Sequence, residues 1–245
     1  MIDLNKLQFH EPCFEEKVRE TLNIFDRDLV LADLKELTEL DCSEFVMLRD
    51  DYAILAECTA LRTLYLEAWP DILPVIGAMT QLQELQMTCL EFRCDFDLRE
   101  LAGLKSLETL FLSGGDWSVM NFLHIEALSD LQHLRSLGFH EFGSADLLPL
   151  TELPHLDTFF CGWGKDVEHI ETVVQLPNLK RLSLIDAEVE SMDFLDELDE
   201  NVFVELCGIR TSREYDIRKL KRFRQRDISE LIIAGKEYWL WKEEP

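Results

Sequence analysis

Leucines recur along this chain at a fixed internal spacing. The pattern L-x-x-L-x-L appears as LRTLYL from Leu61, LQELQM from Leu82, LETLFL from Leu107, LRSLGF from Leu134, LDTFFC from Leu156 and LKRLSL from Leu179. A weaker copy, LTELDC, begins at Leu37, and NVFVEL from Asn201 and ISELII from Ile228 are degenerate copies. Successive starts lie 24, 21, 25, 27, 22, 23, 22 and 27 residues apart. Within each copy the alternation predicts a short strand, whose fourth and sixth residues face one way and whose third, fifth and seventh face the other. Between strands, VIGAMTQ, LRELAGLKS, HIEALSDLQH, LLPLTELPH and VVQLPN space their apolar residues by three or four, with Pro or Gly breaks. That spacing predicts short helices or single helical turns. A unit that cannot bury its leucines alone must stack on its neighbours. The expected fold class is therefore an α/β solenoid, with a curved parallel sheet on the concave side and short helices and turns on the convex side.

These copies carry the pattern of leucine-rich repeats, and LLPLTELPHL resembles the 22-residue class of internalins and phosphatase-regulatory repeat proteins. The N-terminus extends the likeness. FEEKVRETLNIF sets Phe14, Val18 and Leu22 on one helical face, and DLVLADLKEL offers Asp28 as an N-cap for a second short helix. A helical segment leading into such a repeat is similar to the capping module of internalin-like bacterial proteins. The resemblance implies one continuous leucine-rich-repeat domain: a helical cap over 1–36, about eight repeats over 37–227 with the last degenerate, and a closing strand or hairpin over 228–245. In that last segment Ala234-Gly235-Lys236 is expected to turn Leu231–Ile233 back against Tyr238–Trp241. The chain departs from the family at the ninth repeat position, where asparagine is usual. Phe45, Trp69, Leu90, Gly115, Phe142, Gly164 and Ala187 stand there instead, which predicts an irregular turn. Trp69 and Phe142 are expected to turn into the core.

The register also predicts three outward rows. The third positions are Glu39, Thr63, Glu84, Thr109, Ser136, Thr158 and Arg181; the fifth are Asp41, Tyr65, Gln86, Phe111, Gly138, Phe160 and Ser183; the seventh are Ser43, Glu67, Thr88, Ser113, His140, Gly162 and Ile185. Large aromatics on an open sheet are costly unless they meet something, so Tyr65, Phe111 and Phe160 stand out, with His140 and Trp163 beside them. Strands about 4.8 Å apart place rings on alternate repeats roughly 10 Å apart. Glu39, Asp41, Glu67 and Glu84 make the N-terminal end of the same face acidic. The expected partner-binding residues are Tyr65, Glu67, Glu84, Phe111, His140, Phe160 and Trp163.

Charge adds a partner class. The net charge is −25 over 245 residues, a surface that repels nucleic acid and anionic membranes and draws basic proteins. The segment Arg210–Arg226 runs the other way, with eight basic residues against Glu214 and Asp216. Ile217, Leu220 and Phe223 predict a helical stripe there, read either as a patch for an acidic partner or nucleic acid or, preferred, as a solvated convex helix balancing the acidic body. The Asp196–Glu200 run is expected to be a solvated turn. Seven cysteines without a CxxC pair fit reduced thiols rather than a disulfide framework or zinc site. No apolar run approaches the roughly 18–20 residues of a membrane span, and the charged N-terminus lacks a signal-peptide core. A cytoplasmic location is the expectation.

Chemical motifs are absent. GWGK at Gly162 lacks phosphate-loop spacing, and no GxSxG, HExxH or calcium-loop pattern occurs. His133 and His155 each precede a repeat's first leucine but lack the company a metal site needs. No catalytic residues, metal or cofactor are expected. The sequence reads as a non-enzymatic protein-binding module that uses its concave face on a partner with a basic surface. Two alternatives stay open: an inhibitor or immunity-type protein neutralising a basic toxin or nuclease, and a substrate-recruiting adaptor for a separate enzyme.

Overall fold

A computed structural model describes residues 7–89, 93–115 and 119–240. Residues 1–6 of the expected cap, Leu90, the Cys94 side chain and Trp241 of the expected hairpin lie outside the described residues.

Helix α1 (Pro12–Leu22) begins with a proline, whose fixed φ suits the first helical position, and ends where Asn23 takes φ 54°. Phe14 and Val18 are fully buried and Leu22 half-buried, so the amphipathic face covers the first repeat's leucines. Asp51, itself fully buried, fastens the segment: its carboxylate accepts the N–H groups of His10 at 2.9 Å and Glu11 at 2.8 Å. Helix α2 (Leu31–Leu34) is one turn long and starts after Val30, not after Asp28. The expected cap falls two residues early because Asp33 takes its role, reaching back to the Val30 N–H at 2.8 Å while Arg27 grips both its oxygens at 2.7 and 2.6 Å.

Each L-x-x-L-x-L copy is a strand. In chain order they are β1 (Glu39–Val46), α3 (Tyr52–Leu55), β2 (Thr63–Ala68), α4 (Leu73–Gly77), β3 (Glu84–Cys89), β4 (Arg93–Asp97), β5 (Thr109–Gly114), β6 (Val119–Leu123), β7 (Ser136–Asp146), β8 (Thr158–Glu168), β9 (Arg181–Ile185), β10 (Phe203–Cys207), β11 (Ile209–Thr211), β12 (Arg226–Ile228), β13 (Glu230–Ile233) and β14 (Lys236–Trp239). The principal sheet has the order β1-β2-β3-β5-β7-β8-β9-β10-β12, and its neighbours are parallel. Leu64, Leu85, Leu110, Leu137, Phe159, Leu182 and Val204 sit in one inward row and all are fully buried. Burying one such side chain contributes about 1.5–3 kcal/mol, which is why the repeats stack. Their convex links are α3, α4 and 3-10 turns such as Ile125–Asp130 and Ile170–Gln175.

The turn after the strand is irregular in the earlier repeats, as the β1 register break shows, but takes one regular form in four later ones. At the eighth repeat position Glu141, Trp163, Asp186 and Gly208 take φ of 54°, 52°, 48° and 66°. These left-handed residues recur in four consecutive repeats, and beyond each corner the backbone is extended again. A second line of parallel pairings follows. β4 pairs β6, Met120 faces Phe142, β7 and β8 continue in register to Asp146↔Glu168, Val167 and Glu188 bridge to Val189 and Arg210, and β11 pairs β13. Backbone groups of the corner are thus satisfied by the next repeat rather than by an asparagine side chain. Phe142 and Ala187, at the ninth position, are buried inside this corner; Trp69 does not enter the core but is half-buried, with the Arg49 guanidinium over its ring at 4.5 Å. The chain closes with the β13–β14 hairpin. Its turn residues Ala234 and Gly235 have φ of 49° and 75°, the two positive values a type I′ turn requires. No described helix is long and apolar enough to cross a membrane.

Candidate protein-binding face

The concave rows lie where the repeat places them. Thr63, Glu84, Thr109, Ser136, Thr158 and Arg181 align, as do Tyr65, Gln86, Phe111, Gly138, Phe160 and Ser183, and Glu67, Thr88, Ser113, His140, Gly162 and Ile185. One member slips. The β1 register breaks between Cys42 and Val46, so Val46 rather than Ser43 faces Glu67. Ser43 instead turns back on Asp41, whose carboxylate accepts its N–H at 3.0 Å and its hydroxyl at 2.6 Å.

Phe111, His140, Phe160 and Trp163 converge. Phe111 and Phe160 lie 5.6 Å apart between ring centroids, His140 lies 6.4 Å from Phe111 and 6.1 Å from Phe160, and Trp163 lies 5.0 Å from His140 at 30°. The spacing of about 10 Å for alternate repeats is not what the rings adopt, and glycine is the reason. A Cβ on Gly138 would lie 2.4 Å from the Phe111 ring, and one on Gly162 would lie 2.8 Å from Phe160 and 2.9 Å from His140. The rings lean into the space those two residues leave. Phe111, His140 and Phe160 are half-buried by one another, while Trp163 keeps 50% of its surface exposed.

Polar partners hold the two polar rings. Ser113 Oγ lies 3.1 Å from His140 Nδ1, and the Trp163 indole N–H donates to Asp186 at 2.8 Å. Trp163 also occupies the corner position with φ 52°, a conformation that costs a non-glycine residue about 1–2 kcal/mol.

Tyr65 and Glu84 belong together but apart from this cluster. The Tyr65 hydroxyl donates to Glu84 at 2.6 Å, and that carboxylate pushes the phenol up to about 12. Glu67 lies on the same half-buried rim. Next to Tyr65, Lys17, Glu20, Glu39 and Asp41 line a cleft of about 420 Å³ between α1 and the sheet. The face is therefore acidic at one end and aromatic at its middle.

Two surfaces away from the face account for other charges. The basic segment folds onto carboxylates one repeat earlier: Arg210 on Asp186 at 3.8 Å, Arg213 on Glu190, Lys219 on Asp196, and Arg224 on Glu200 at 2.6 Å. Leu220 and Phe223 are buried beneath a 3-10 turn over Ile217–Arg222. The Asp196–Glu200 run is correspondingly not a purely solvated turn; Asp196 also accepts the Tyr215 hydroxyl at 3.1 Å. A groove of about 1000 Å³ beyond the corner is lined by Asp166, Glu168, Glu188, Glu190, Arg210 and Arg213 among others.

Sequence spacing did not reveal one histidine cluster, in which ligand atoms of Asp146, Glu168 and His169 lie within 4.8 Å of one another. His169 Nδ1 meets Asp146 at 2.7 Å, and that contact raises the imidazole above its ordinary value. His133 Nδ1 meets the Lys105 carbonyl of the preceding repeat at 2.8 Å.

Strand register, corner and capped ends define a leucine-rich-repeat solenoid of internalin-like fold. Internalin C2 from Listeria monocytogenes str. 4b F2365 superposes with TM-score 0.67 at 17% identity, over 92% of this chain and 94% of that one. Internalin InlF of the same strain gives 0.53 at 14%, over 92% and 77%. The plant peptide hormone receptor RGFR1, solved in complex with RGF2, gives 0.54 at 14%, over 84% of this chain and 37% of the receptor. No protein-family model and no curated protein matches the sequence. At these identities the likeness shows the fold alone.

Proposed function

We propose that this chain is a non-enzymatic binding module that takes a protein with a basic surface on its concave face. The observation that carries the reading is the joined cluster of Phe111, His140, Phe160 and Trp163, turned away from the core on an otherwise open sheet. Buried aromatic anchors supply most of the short-range energy of protein interfaces, and a net charge of −25 steers a basic partner over longer range. Tyr65, Glu67 and Glu84 form the acidic end of the same surface. A receptor of this fold was solved with a peptide hormone, which supports a protein or peptide as the class of ligand.

Neutralisation of a basic toxin or nuclease is the specific form the charge favours, and the cysteine usage suits a reducing cytoplasm. Recruitment of substrate to a separate enzyme is the alternative, and it requires a catalytic subunit in the recovered complex. The test is capture from native cytosol with wild type and with Phe111→Ala/Phe160→Ala. Selective loss of one partner by the double variant is expected; equal recovery of every partner by both proteins overturns the reading.

A further inference from the structure

Ser113 determines which nitrogen of His140 carries the lone pair. Its hydroxyl oxygen lies 2.6 Å from the Gly114 carbonyl oxygen and 3.1 Å from His140 Nδ1. Two oxygens that close need a proton between them, and a carbonyl has none to give. The single hydroxyl proton is therefore donated to Gly114, which leaves the Ser113 oxygen as acceptor and His140 Nδ1–H as donor. In the neutral ring Nε2 then carries the lone pair. That nitrogen is an acceptor within a cluster whose other members are the Phe111, Phe160 and Trp163 rings. The indole N–H is already given to Asp186, so Trp163 offers its π face and edge rather than a donor.

We propose that this arrangement is a recognition pocket for an arginine side chain of the partner, with the guanidinium lying against the aromatic rings and donating an N–H to His140 Nε2. The inference rests on the concave face being the binding surface and adds the chemistry of its central contact. A guanidinium is planar, weakly hydrated and rich in donors, and it stacks on aromatic faces. An ammonium is a strongly hydrated point charge that matches a flat ring cluster less well. The chain's charge of −25 favours a cation over a neutral donor. Ser113 and Asp186 are positioning residues: they fix the two rings the guanidinium would touch.

Imidazole nitrogen NMR at about pH 8, where imidazoles are ordinarily neutral, tests the tautomer on the free protein. A protonated Nδ1 with an unprotonated Nε2 at His140 is expected, and the reverse assignment overturns the proposal. Titration with N-acetyl-L-arginine amide should give a saturable shift of His140 Nε2 and the Trp163 indole, with N-acetyl-L-lysine amide at least about tenfold weaker. His140→Phe keeps a ring but removes the lone pair and should weaken the arginine probe about tenfold, with unchanged circular dichroism. Equal binding of both probes, or of the arginine probe to wild type and His140→Phe, overturns it. Partner capture separates the two readings. A partner lost by Phe111→Ala/Phe160→Ala yet held equally by His140→Phe sinks the arginine contact alone, whereas no loss with the double variant sinks the concave-face reading itself.

Discussion

Phe111 and Phe160 lie two repeats apart, separated by a whole strand, yet their rings meet at 5.6 Å. Gly138 on β7 makes this possible, because the Phe111 ring occupies the space where its Cβ would be. Gly138→Ala should therefore force the ring outward and open the cluster. Overpacking of this kind costs about 1–3 kcal/mol. Chemical denaturation measures that loss, and ring-to-ring nuclear Overhauser contacts between Phe111 and Phe160 should disappear. A variant of wild-type stability with those contacts intact would show that the glycine is incidental.

Trp163 offers a sharper separation of stability from binding. Its left-handed backbone costs about 1–2 kcal/mol, while its hydrogen bond to Asp186 contributes about 0.5–1.5 kcal/mol. Trp163→Gly relieves the first and loses the second, and it adds about 0.5–1 kcal/mol of unfolded-chain entropy. The buried half of the ring is lost as well, so the unfolding free energy should fall by about 1–3 kcal/mol. Partner capture should collapse, since the exposed ring is gone. A large loss of stability with capture retained would assign Trp163 to the fold.

The repeat made the rows of the sheet legible, and with them every residue of the aromatic face. Alternation fixes which side of a strand a residue occupies, and eight copies fix the register between strands; the ninth, ISELII, misleads, since β12 (Arg226–Ile228) continues the sheet and ISELII supplies β13. What alternation does not carry is the lean of a side chain along the sheet, so the closing of Phe111 on Phe160 over Gly138 was out of reach. The eighth-position corner was equally hidden. Glu, Trp, Asp and Gly share no chemistry, and their common φ is imposed by the parallel pairing of the segments that follow. Asp28 and Ser43 went astray for local reasons, a competing carboxylate at Asp33 and a bulge in β1. The pairing of the basic segment with Asp186, Glu190, Asp196 and Glu200 follows from repeat length, with the partners one turn of the solenoid apart.

Asp51 was also invisible to pattern, lying in the convex run RDDY, yet it is fully buried. It accepts the backbone N–H groups of His10 and Glu11, and His10 Nδ1 stands 3.4 Å away. Asp51→Ala strands two donors at the start of α1, at about 1–3 kcal/mol for each donor left unsatisfied. The expected result is a lower unfolding midpoint, with amide exchange accelerated first over Pro12–Leu22. Uniform acceleration through the sheet instead would mean that Asp51 supports the whole solenoid and not the cap.

The stability of this protein should begin to fall with alkali near pH 9, before lysines and arginines have titrated. Burial pushes the thiols of Cys42, Cys58 and Cys161 from 9.0 up to about 12. Burial likewise raises Tyr52 to about 12, and the Glu84 contact does so for Tyr65. Above pH 9 the unfolded chain releases thiol protons that the folded chain keeps, so the unfolded state binds fewer protons and stability falls as pH rises. The contribution is whole below the unfolded value and is lost progressively between pH 9 and about 12. Each buried thiol adds a slope of up to about 1.4 kcal/mol per pH unit in that window. Urea unfolding at successive pH values from about 8 to 10 measures the sum. Cys161→Ala should shallow the slope by one thiol's share while losing some stability at pH 8 to the cavity it leaves. A wild-type profile that stays flat across the window would mean these thiols are not enclosed: Cys42 and Cys161 in the sixth-position row, and Cys58 in the convex link after α3.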